Sequence, residues 1–224
     1  RDTPFVRLAV RSVWEQTMPD LELIFVDNGS GMTPETLGES GRDPRLRWIP
    51  MEKNYGIPIG MNTALNAAQG EFVAVLDFDD IALPERLEKQ VAFLNANPGV
   101  GGVFSVANTI NDEGKITGRE FTLLSERDYH IFSAYDMPAL TPTLMMRREI
   151  MLQHPYRECF EVACDYDQLC RVAETHAICA LPEVLLEYRR HQTQTTVQQR
   201  PTQVLNACIV RLITARRRAG RDED

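Results

Sequence analysis

The sequence predicts an α/β fold in which helices flank a mostly parallel central β-sheet. Short, continuous apolar runs of the kind that form buried strands alternate along the chain with runs whose apolar residues recur at helical spacing. This alternation is typical of βαβ units with right-handed crossovers. The chain has 224 residues, of which 43% are apolar, so it is long enough for one such domain with a sizeable core.

Helices are predicted where apolar residues line one face of a helical projection. Over residues 3–16, Phe5, Leu8 and Val13 fall on such a face. The same pattern predicts helices over residues 58–68, 84–96 and 201–218, and one more that starts near Asp165.

Strands are predicted from apolar runs over residues 21–26, 45–49, 72–76, 100–107, 139–146 and 178–186. Pro182 interrupts the last of these runs, and the turn at residues 111–114 predicts a hairpin. Residues 122–136 are ambiguous and are predicted to carry a helix and a loop. Because a parallel sheet without its inner strand would expose apolar edges, we expect a further strand before Arg1 in the natural protein.

Charge and composition narrow the functional classes. The net charge of −8 argues against a nucleic-acid-binding surface. No predicted strand is followed by GxGxxG, and no GxxxxGK[ST] occurs. The sequence therefore lacks the fingerprints of dinucleotide-binding and P-loop proteins. The five cysteines form no CxxC pair, which indicates reduced thiols in a cytoplasmic protein.

Arginines crowd the end of the last predicted helix, from Arg211 to Arg221. Their simplest effect is to favour the helix C-terminus and its solvation. Weak attraction to anionic lipid is the alternative. No apolar run approaches the roughly 20 residues that cross a bilayer.

Three acidic residues, Asp77, Asp79 and Asp80, follow the predicted strand over residues 72–76. In open α/β sheets, ligands bind beyond the carboxyl ends of the strands. Anions this close repel one another unless a cation or hydrogen-bond donors hold them, and carboxylate oxygens suit Mg²⁺ or Mn²⁺. A turn that leads into a helix at Pro84 explains the same residues without a metal. These residues alone leave both interpretations open.

Three further polar positions have a structural and a functional interpretation each. Asp27 opens the stretch Asp-Asn-Gly-Ser-Gly after the first predicted strand, which either turns the chain or accepts a base N–H in a nucleotide pocket. Asp165 and Asp167 lie near a helix start, where a carboxylate either caps the helix or acts as a general base. His191 is either a surface histidine or a ligand for a metal or a phosphate.

In their order and spacing, these stretches resemble the inverting family 2 glycosyltransferases with the GT-A fold. The resembling pieces are residues 9–17, 25–30 (Phe-Val-Asp-Asn-Gly-Ser), 54–56 with Asn62, 67–80, 164–171 and 188–191 (Tyr-Arg-Arg-His). The resemblance implies a Rossmann-like GT-A domain at residues 1–191, divided into a nucleotide-binding half at 1–98 and an acceptor-side half at 99–191. A C-terminal helical extension would occupy residues 192–224.

The resemblance implies a nucleotide site in the first half. Asp27 would contact the nucleotide base, with Ser30 nearby. The nucleotide pocket would be shaped by Asn54, Gly56 and Asn62.

The resemblance also implies the chemical groups. Asp77 and Asp79 would form an Asp-x-Asp motif, with Asp77 towards the ribose and diphosphate and Asp79 on a divalent cation, Mn²⁺ or Mg²⁺. Asp80 would be a supporting acid, and His191 would lie near the metal or diphosphate. Asp165 would be the general base that takes the proton from an acceptor hydroxyl.

The sequence departs from the family pattern at three places. The Pro-x-Tyr-Asn end of the family's first strand does not occur in the sequence. Cys164 stands where the family has the Glu of its Glu-Asp motif, and Met61 stands where many members have an Arg. The base function therefore rests on Asp165, with Asp167 as the second candidate.

The implied reaction moves a sugar from a nucleotide-diphosphate-sugar, with a UDP-sugar favoured, to a hydroxyl of a carbohydrate or glycolipid. Such a transferase would serve polysaccharide, lipopolysaccharide or glycoconjugate synthesis in the cytoplasm, with peripheral membrane contact through the C-terminal basic helix as a further option. Two alternatives stay open: a nucleotidyltransferase, whose usual Gly-rich basic phosphate loop is not visible, and a non-catalytic nucleotide-binding module.

Overall fold

Helices flank two β-sheets in the computed structural model, which describes residues 4–120, 137 and 139–221. The helices are α1 (Pro4–Trp14), α2 (Ile57–Ala67), α3 (Arg86–Ala96), α4 (Arg148–Gln153), α5 (Cys164–Val172), α6 (Thr195–Gln198) and α7 (Arg200–Arg218). The strands are β1 (Leu23–Asp27), β2 (Leu46–Pro50), β3 (Phe72–Ala74), β4 (Ile81–Ala82), β5 (Val100–Ile110), β6 (Ile116–Glu120), β7 (Met145–Arg147) and β8 (Ala177–Arg189). The predicted α/β class is confirmed. The helix and loop predicted over residues 122–136 lie outside the described residues.

The strands form two sheets. β1 and β2 pair in parallel, with Leu23 opposite Leu46. The larger sheet has the order β3-β7-β5-β8-β4, with β6 paired to β5. In it β5 and β8 are parallel, whereas the pairs β3–β7, β5–β7, β4–β8 and β5–β6 are antiparallel. The sheet is therefore mixed where the sequence predicted a mostly parallel one, because apolar patterns do not encode strand direction.

Two predicted strands are shorter than expected. β3 spans three residues, pairs antiparallel with β7 and leaves Ala74 exposed, so the strand expected over residues 72–76 is not a parallel strand buried on both faces. β7 is also short, because the 3₁₀ turn Thr141–Thr143 precedes it and Pro142 has no N–H to give to a sheet.

Two predicted strands, β5 and β8, are longer than expected. β8 runs through Pro182, where the register with β5 shifts: Ser105 pairs with Leu181, and Val106 pairs with Val184. The extra residues, Pro182 and Glu183, sit in a bulge, which is where a sheet tolerates a proline.

The core lies on the helix-covered faces of the sheets. α1 packs Val6 and Val10 near the stacked rings of Phe25 and Trp48, whose centroids lie 4.4 Å apart. A larger cluster joins α2, α4, α5 and α7 to Val75 and Phe104, among other residues of the sheet. This packing fixes the ends of β1 and β3 and the start of α5, where the predicted site residues lie.

No helix in the described part of the chain is both long enough and apolar enough to cross a bilayer.

Candidate functional site

The turn after β3 holds the three predicted acids together; we call residues 77–80 the acid turn. The Asp80 N–H donates to the carbonyl oxygen of Asp77 at 3.3 Å. One oxygen from each of Asp77, Asp79 and Asp80 lies within 4.8 Å of the others. Asp79 and Asp80 are buried and Asp77 is exposed. This arrangement can present several carboxylate oxygens to one cation.

Asp80 carries an oxygen atom without a partner. Its Oδ1 accepts the backbone N–H of Arg189 at 2.8 Å, while its buried Oδ2 has no hydrogen-bond partner among the described residues. Burial raises the pKa of Asp80 to about 9, with the Asp77 charge as the next cause. A buried polar atom without a partner costs free energy, so the residues present fit a bound divalent cation.

Asp77 has a raised pKa for similar reasons. The pKa of Asp77 is raised to about 7, first by crowding with protein atoms and then by the carboxylates of Asp79 and Asp165, while the charge of Arg86 opposes the rise. Because Asp77 has solvent-accessible surface, water screens part of this effect. The contribution of Asp165 indicates that this carboxylate lies in the same electrostatic environment as the acid turn.

Asp79 joins the acid turn to the chain after β8. The Nε2 atom of His191 lies 2.8 Å from Asp79 Oδ2, and its Nδ1 atom lies 2.8 Å from Thr193 Oγ1. Only 9% of each of the His191 and Asp79 side chains is exposed. A histidine whose second nitrogen is held in this way has a fixed ring orientation, as metal-ligating histidines do.

Asp165 lies in the first turn of α5 and keeps accessible surface. Its Oδ2 accepts the Thr141 hydroxyl at 2.6 Å, and its Oδ1 accepts the Tyr166 N–H at 2.8 Å. The neighbouring Cys164 is buried, and burial raises the pKa of its thiol to about 12. A protonated thiol does not accept a proton, so of these two neighbouring side chains only the Asp165 carboxylate could act as a base.

Asp167 is fully buried and is held by two arginines. It accepts bonds from Arg157 Nε at 2.9 Å and Arg171 Nε at 3.0 Å, and Arg157 Nη2 contacts its other oxygen. A carboxylate held in this way cannot reach an acceptor hydroxyl. The geometry therefore disfavours Asp167, the second candidate for the base.

Asp27 uses its carboxylate to close the loop after β1. Its Oδ1 accepts the Ser30 N–H at 3.0 Å and the Ser30 hydroxyl, and its Oδ2 accepts the Gly31 N–H at 3.0 Å. The residue is only 4% exposed. The structure thus brings Asp27 and Ser30 together as predicted, with the carboxylate already engaged in the loop.

Asn28 ties this loop to the segment after β2. Its Nδ2 donates to Gly56 O at 2.9 Å, and its Oδ1 accepts the Tyr55 N–H at 3.0 Å. Gly29 has φ +77°, and a Cβ there would lie 2.2 Å from the carbonyl carbon of Lys53. Only glycine allows this approach, which places Asn54 and Gly56 beside the Asp27 loop.

A cavity of about 570 Å³ opens at the start of α2. It is lined by Lys53, Asn54, Tyr55, Gly56, Pro58, Ile59, Glu158 and Glu161. Two of the predicted nucleotide-pocket residues, Asn54 and Gly56, are in this lining, whereas Asp27, Ser30 and the acid turn are not.

Asn62 does not offer its amide to a ligand. Its Nδ2 donates to Tyr156 O at 2.8 Å and its Oδ1 accepts the Tyr156 N–H at 2.9 Å. The amide therefore holds the segment before α5 in place. Its predicted role in shaping the nucleotide pocket is at most indirect in this geometry.

Sequence reasoning missed several residues that support the predicted ones. Arg189 and Arg86 border the acid turn, Asn28 joins two loops, and Thr141 holds Asp165. Asn28 and Arg189 stand inside stretches that carry the family resemblance, which was the available signal. No sequence signal identified Thr141.

Sequence comparison finds relatives across most of the chain. A family model described as glycosyl transferase family 2 matches residues 3–154. An uncharacterised glycosyltransferase of Methanocaldococcus jannaschii is 31% identical over 191 residues, which cover 83% of this chain and 66% of the relative. The amylovoran biosynthesis glycosyltransferase AmsE of Erwinia amylovora is 29% identical over 197 residues, which cover 80% and 68%. The chain thus spans about two thirds of the length of these relatives.

Solved structures share the fold. TarS 1–349 of S. aureus in complex with UDP has a TM-score of 0.72 at 18% identity, covering 95% of this chain and 62% of that one. The mannosyltransferase PcManGT from Pyrobaculum calidifontis, in complex with GDP-Man and Mn²⁺, has a TM-score of 0.68 at 19% identity, covering 96% and 61%. These similarities confirm the predicted GT-A fold.

Proposed function

The chain belongs to glycosyl transferase family 2, and from this we propose that it transfers a sugar from a nucleotide-diphosphate-sugar to an acceptor hydroxyl with inversion at the anomeric carbon. The observation that carries the proposal is the acid turn, in which no described residue bonds Asp80 Oδ2. The accessible carboxylate of Asp165 is tied to the same region, because it accepts the Thr141 hydroxyl three residues before Leu144, whose carbonyl accepts the N–H of Val75 just ahead of the turn.

The acid turn holds a divalent cation, Mn²⁺ or Mg²⁺, in this proposal. Asp79 is the principal ligand, Asp77 faces the ribose and diphosphate, and His191 and Asp80 complete the surroundings. When bound, the cation stabilises the negative charge that grows on the departing diphosphate. The neighbour PcManGT, solved with GDP-Man and Mn²⁺, supports this assignment.

Asp165 acts as the general base. An acceptor hydroxyl has a high pKa, so it attacks slowly while it keeps its proton. A positioned base that removes the proton typically raises the rate by about 10²–10⁴-fold. The Thr141 hydroxyl and the Tyr166 N–H orient the carboxylate. Attack from the face opposite the leaving group inverts the anomeric centre in one displacement.

The donor nucleotide binds beside the loops that follow β1 and β2. Asp27, with Ser30, contacts the base, and Asn54 and Gly56 shape the pocket. Asn62 contributes indirectly, because its amide bonds the main chain of Tyr156. We favour a UDP-sugar, and the neighbour TarS, solved with UDP, supports this choice. Residues 1–98 then form the donor side, 99–191 the acceptor side and 192–224 the extension.

The acceptor is a hydroxyl of a carbohydrate or glycolipid in polysaccharide, lipopolysaccharide or glycoconjugate synthesis. Relatives named for amylovoran and succinoglycan biosynthesis support this class. Nucleic acid is not a partner in this proposal, since the net charge is −8.

Product analysis tests the reaction. Incubation with an α-linked UDP-sugar and Mn²⁺, with water as a slow acceptor, is expected to release UDP and, as the first sugar anomer seen by ¹H NMR, the β form. Release of the α anomer first would contradict inversion. Release of UMP with a sugar phosphate would instead support nucleotidyl transfer.

We also propose a cytoplasmic protein whose α7 touches an anionic membrane surface. One side of α7 exposes Val204, Leu205 and Leu212 by 54%, 60% and 67%, and Arg200 and Arg216 are exposed on the same helix. Apolar side chains beside basic ones are the pattern of a helix that lies on anionic lipid.

Vesicle co-sedimentation tests this contact. The double substitution Leu205→Ser and Leu212→Ser is expected to weaken binding to phosphatidylserine-containing phosphatidylcholine vesicles, because it removes the apolar face. Ile116→Ser, which alters a 54%-exposed residue elsewhere, is the matched control. Binding that is absent for the parent protein, or equal for both variants, would contradict the proposal.

A further inference from the structure

Two buried arginines border the acid turn. Arg86, near the start of α3, and Arg189, at the end of β8, are each only 1% exposed. A buried guanidinium is costly unless hydrogen bonds or opposite charges compensate for it. What each of them contacts therefore indicates why it is there.

Arg189 makes two hydrogen bonds to the acid turn, one from its guanidinium and one from its own backbone N–H. Its Nε donates to the Asp79 carbonyl at 2.9 Å, and its own N–H donates to Asp80 Oδ1 at 2.8 Å. Its Nη1 donates to the carbonyl of Asn111 at 2.7 Å, in the turn between β5 and β6. Its Cζ lies 4.3 Å from the ring centroid of Phe5. One side chain thus joins the acid turn to β8, the hairpin and α1.

Arg86 approaches the acid turn from α3. Its Nη2 donates to the carbonyls of Val75 and Leu144, at 2.8 and 3.2 Å, and its Nε donates to Gln90 Oε1 at 3.1 Å. Burial lowers the pKa of Arg86 to about 10, and the charges of Asp80 and Asp77 oppose this. Arg86 is therefore held against Val75, two residues before Asp77, and against Leu144, the residue before β7.

Among the described residues, no ion pair within 4.0 Å joins either guanidinium to a carboxylate of the acid turn. Direct pairing would occupy the carboxylate oxygens that a cation needs. Bonding to carbonyl groups instead leaves Asp80 Oδ2 without a partner in the part of the chain that the structure describes.

We propose that Arg86 and Arg189 are positioning residues that hold the acid turn in a cation-ready shape without placing a guanidinium on any of its carboxylate oxygens. The inference rests on the proposed function, because the cation is the one assigned there. When they are deprotonated to bind a cation, the three carboxylates repel one another and would otherwise spread apart. The planar fork of arginine, which bonds several carbonyls at fixed angles, cannot be reproduced by lysine.

Arg189→Lys tests the inference, with Arg147→Lys as the matched control. Arg147 also donates to main-chain carbonyls, those of Val100 and Leu94 at 3.1 and 2.7 Å, and its Cζ lies 5.4 Å from the Phe72 ring centroid. Both changes keep the charge and remove a guanidinium fork beside an aromatic ring. Only Arg189 touches the acid turn.

The Mn²⁺ dissociation constant, measured from the free-ion EPR signal, is expected to rise by about 10- to 100-fold in Arg189→Lys, as for other residues that orient metal ligands. The Mn²⁺ dissociation constant should be unchanged in Arg147→Lys, even if the melting temperatures of both variants fall by the same amount without metal. Should Arg189→Lys not fold, Arg86→Lys, which removes the guanidinium bonded to Val75 and Leu144, is expected to weaken Mn²⁺ binding in the same direction.

An unchanged dissociation constant in folded Arg189→Lys, beside tight binding by the parent protein, would overturn this inference and leave the proposed function standing. An equal rise in both lysine variants would also overturn it, because the effect would then be general loosening. A parent protein that binds no Mn²⁺ would overturn both.

Discussion

Asp79→Ala is expected to abolish Mn²⁺-dependent binding of the donor. Asp79 is the proposed principal ligand, and its Oδ2 already lies 2.8 Å from His191 Nε2. Residues that only orient a ligand change metal affinity by about 10- to 100-fold, so loss of the ligand itself should exceed that range. Calorimetric titration with UDP, with and without Mn²⁺, measures the effect.

Asp20→Ala, which removes an exposed acid elsewhere on the surface, controls for the change in net charge. UDP binding should keep its Mn²⁺ dependence in that variant. Full Mn²⁺ dependence in Asp79→Ala would show that the cation binds elsewhere.

Asp165→Asn is expected to leave donor binding intact and to remove transfer, by roughly 10²–10⁴-fold in rate. The amide oxygen of asparagine can still accept the Tyr166 N–H, and the Thr141 hydroxyl can turn to accept from the amide nitrogen, so the local structure should persist. Turnover with an active acceptor measures the loss, and calorimetry checks UDP binding. Wild-type turnover in this variant would reassign the base.

Asp167→Asn is the contrasting substitution, two residues further along α5. Asp167 is 0% exposed and is paired with Arg157 and Arg171. Breaking a buried pair typically costs about 3–5 kcal/mol, so this variant should unfold at a lower denaturant concentration than Asp165→Asn. Comparison of the two variants therefore distinguishes a carboxylate that takes part in the reaction from one that stabilises the fold.

Local patterns predicted the longer helices well, missed the short helices α4 and α6, and predicted the strands less well. In α1, α2, α3 and α7 apolar residues recur at helical spacing because one face of each helix is buried. Each of these helices begins and ends within a few residues of its predicted bounds. Strand direction depends on which segments meet across the sheet, so the antiparallel place of β7 between β3 and β5 could not be inferred. The bulge at Pro182 likewise depends on its partner strand.

The acids of the site were predictable because the chain places them together. Asp77, Asp79 and Asp80 follow one strand, and Asp165 opens one helix. Their supports come from distant parts of the chain: Arg189 is 110 residues from Asp79, and Thr141 is 24 residues from Asp165. Such contacts exist only after folding, so no local pattern announces them.

The central proposition is that the acid turn binds a cation together with the diphosphate of a nucleotide. Thermal unfolding with UDP and Mn²⁺, together and singly, tests it most directly, because a ligand that binds only the folded state raises the melting temperature. We expect UDP with Mn²⁺ to raise the melting temperature far more than either alone, and a chelator to cancel the gain. No metal-dependent shift with UDP, GDP or dTDP would contradict the proposition.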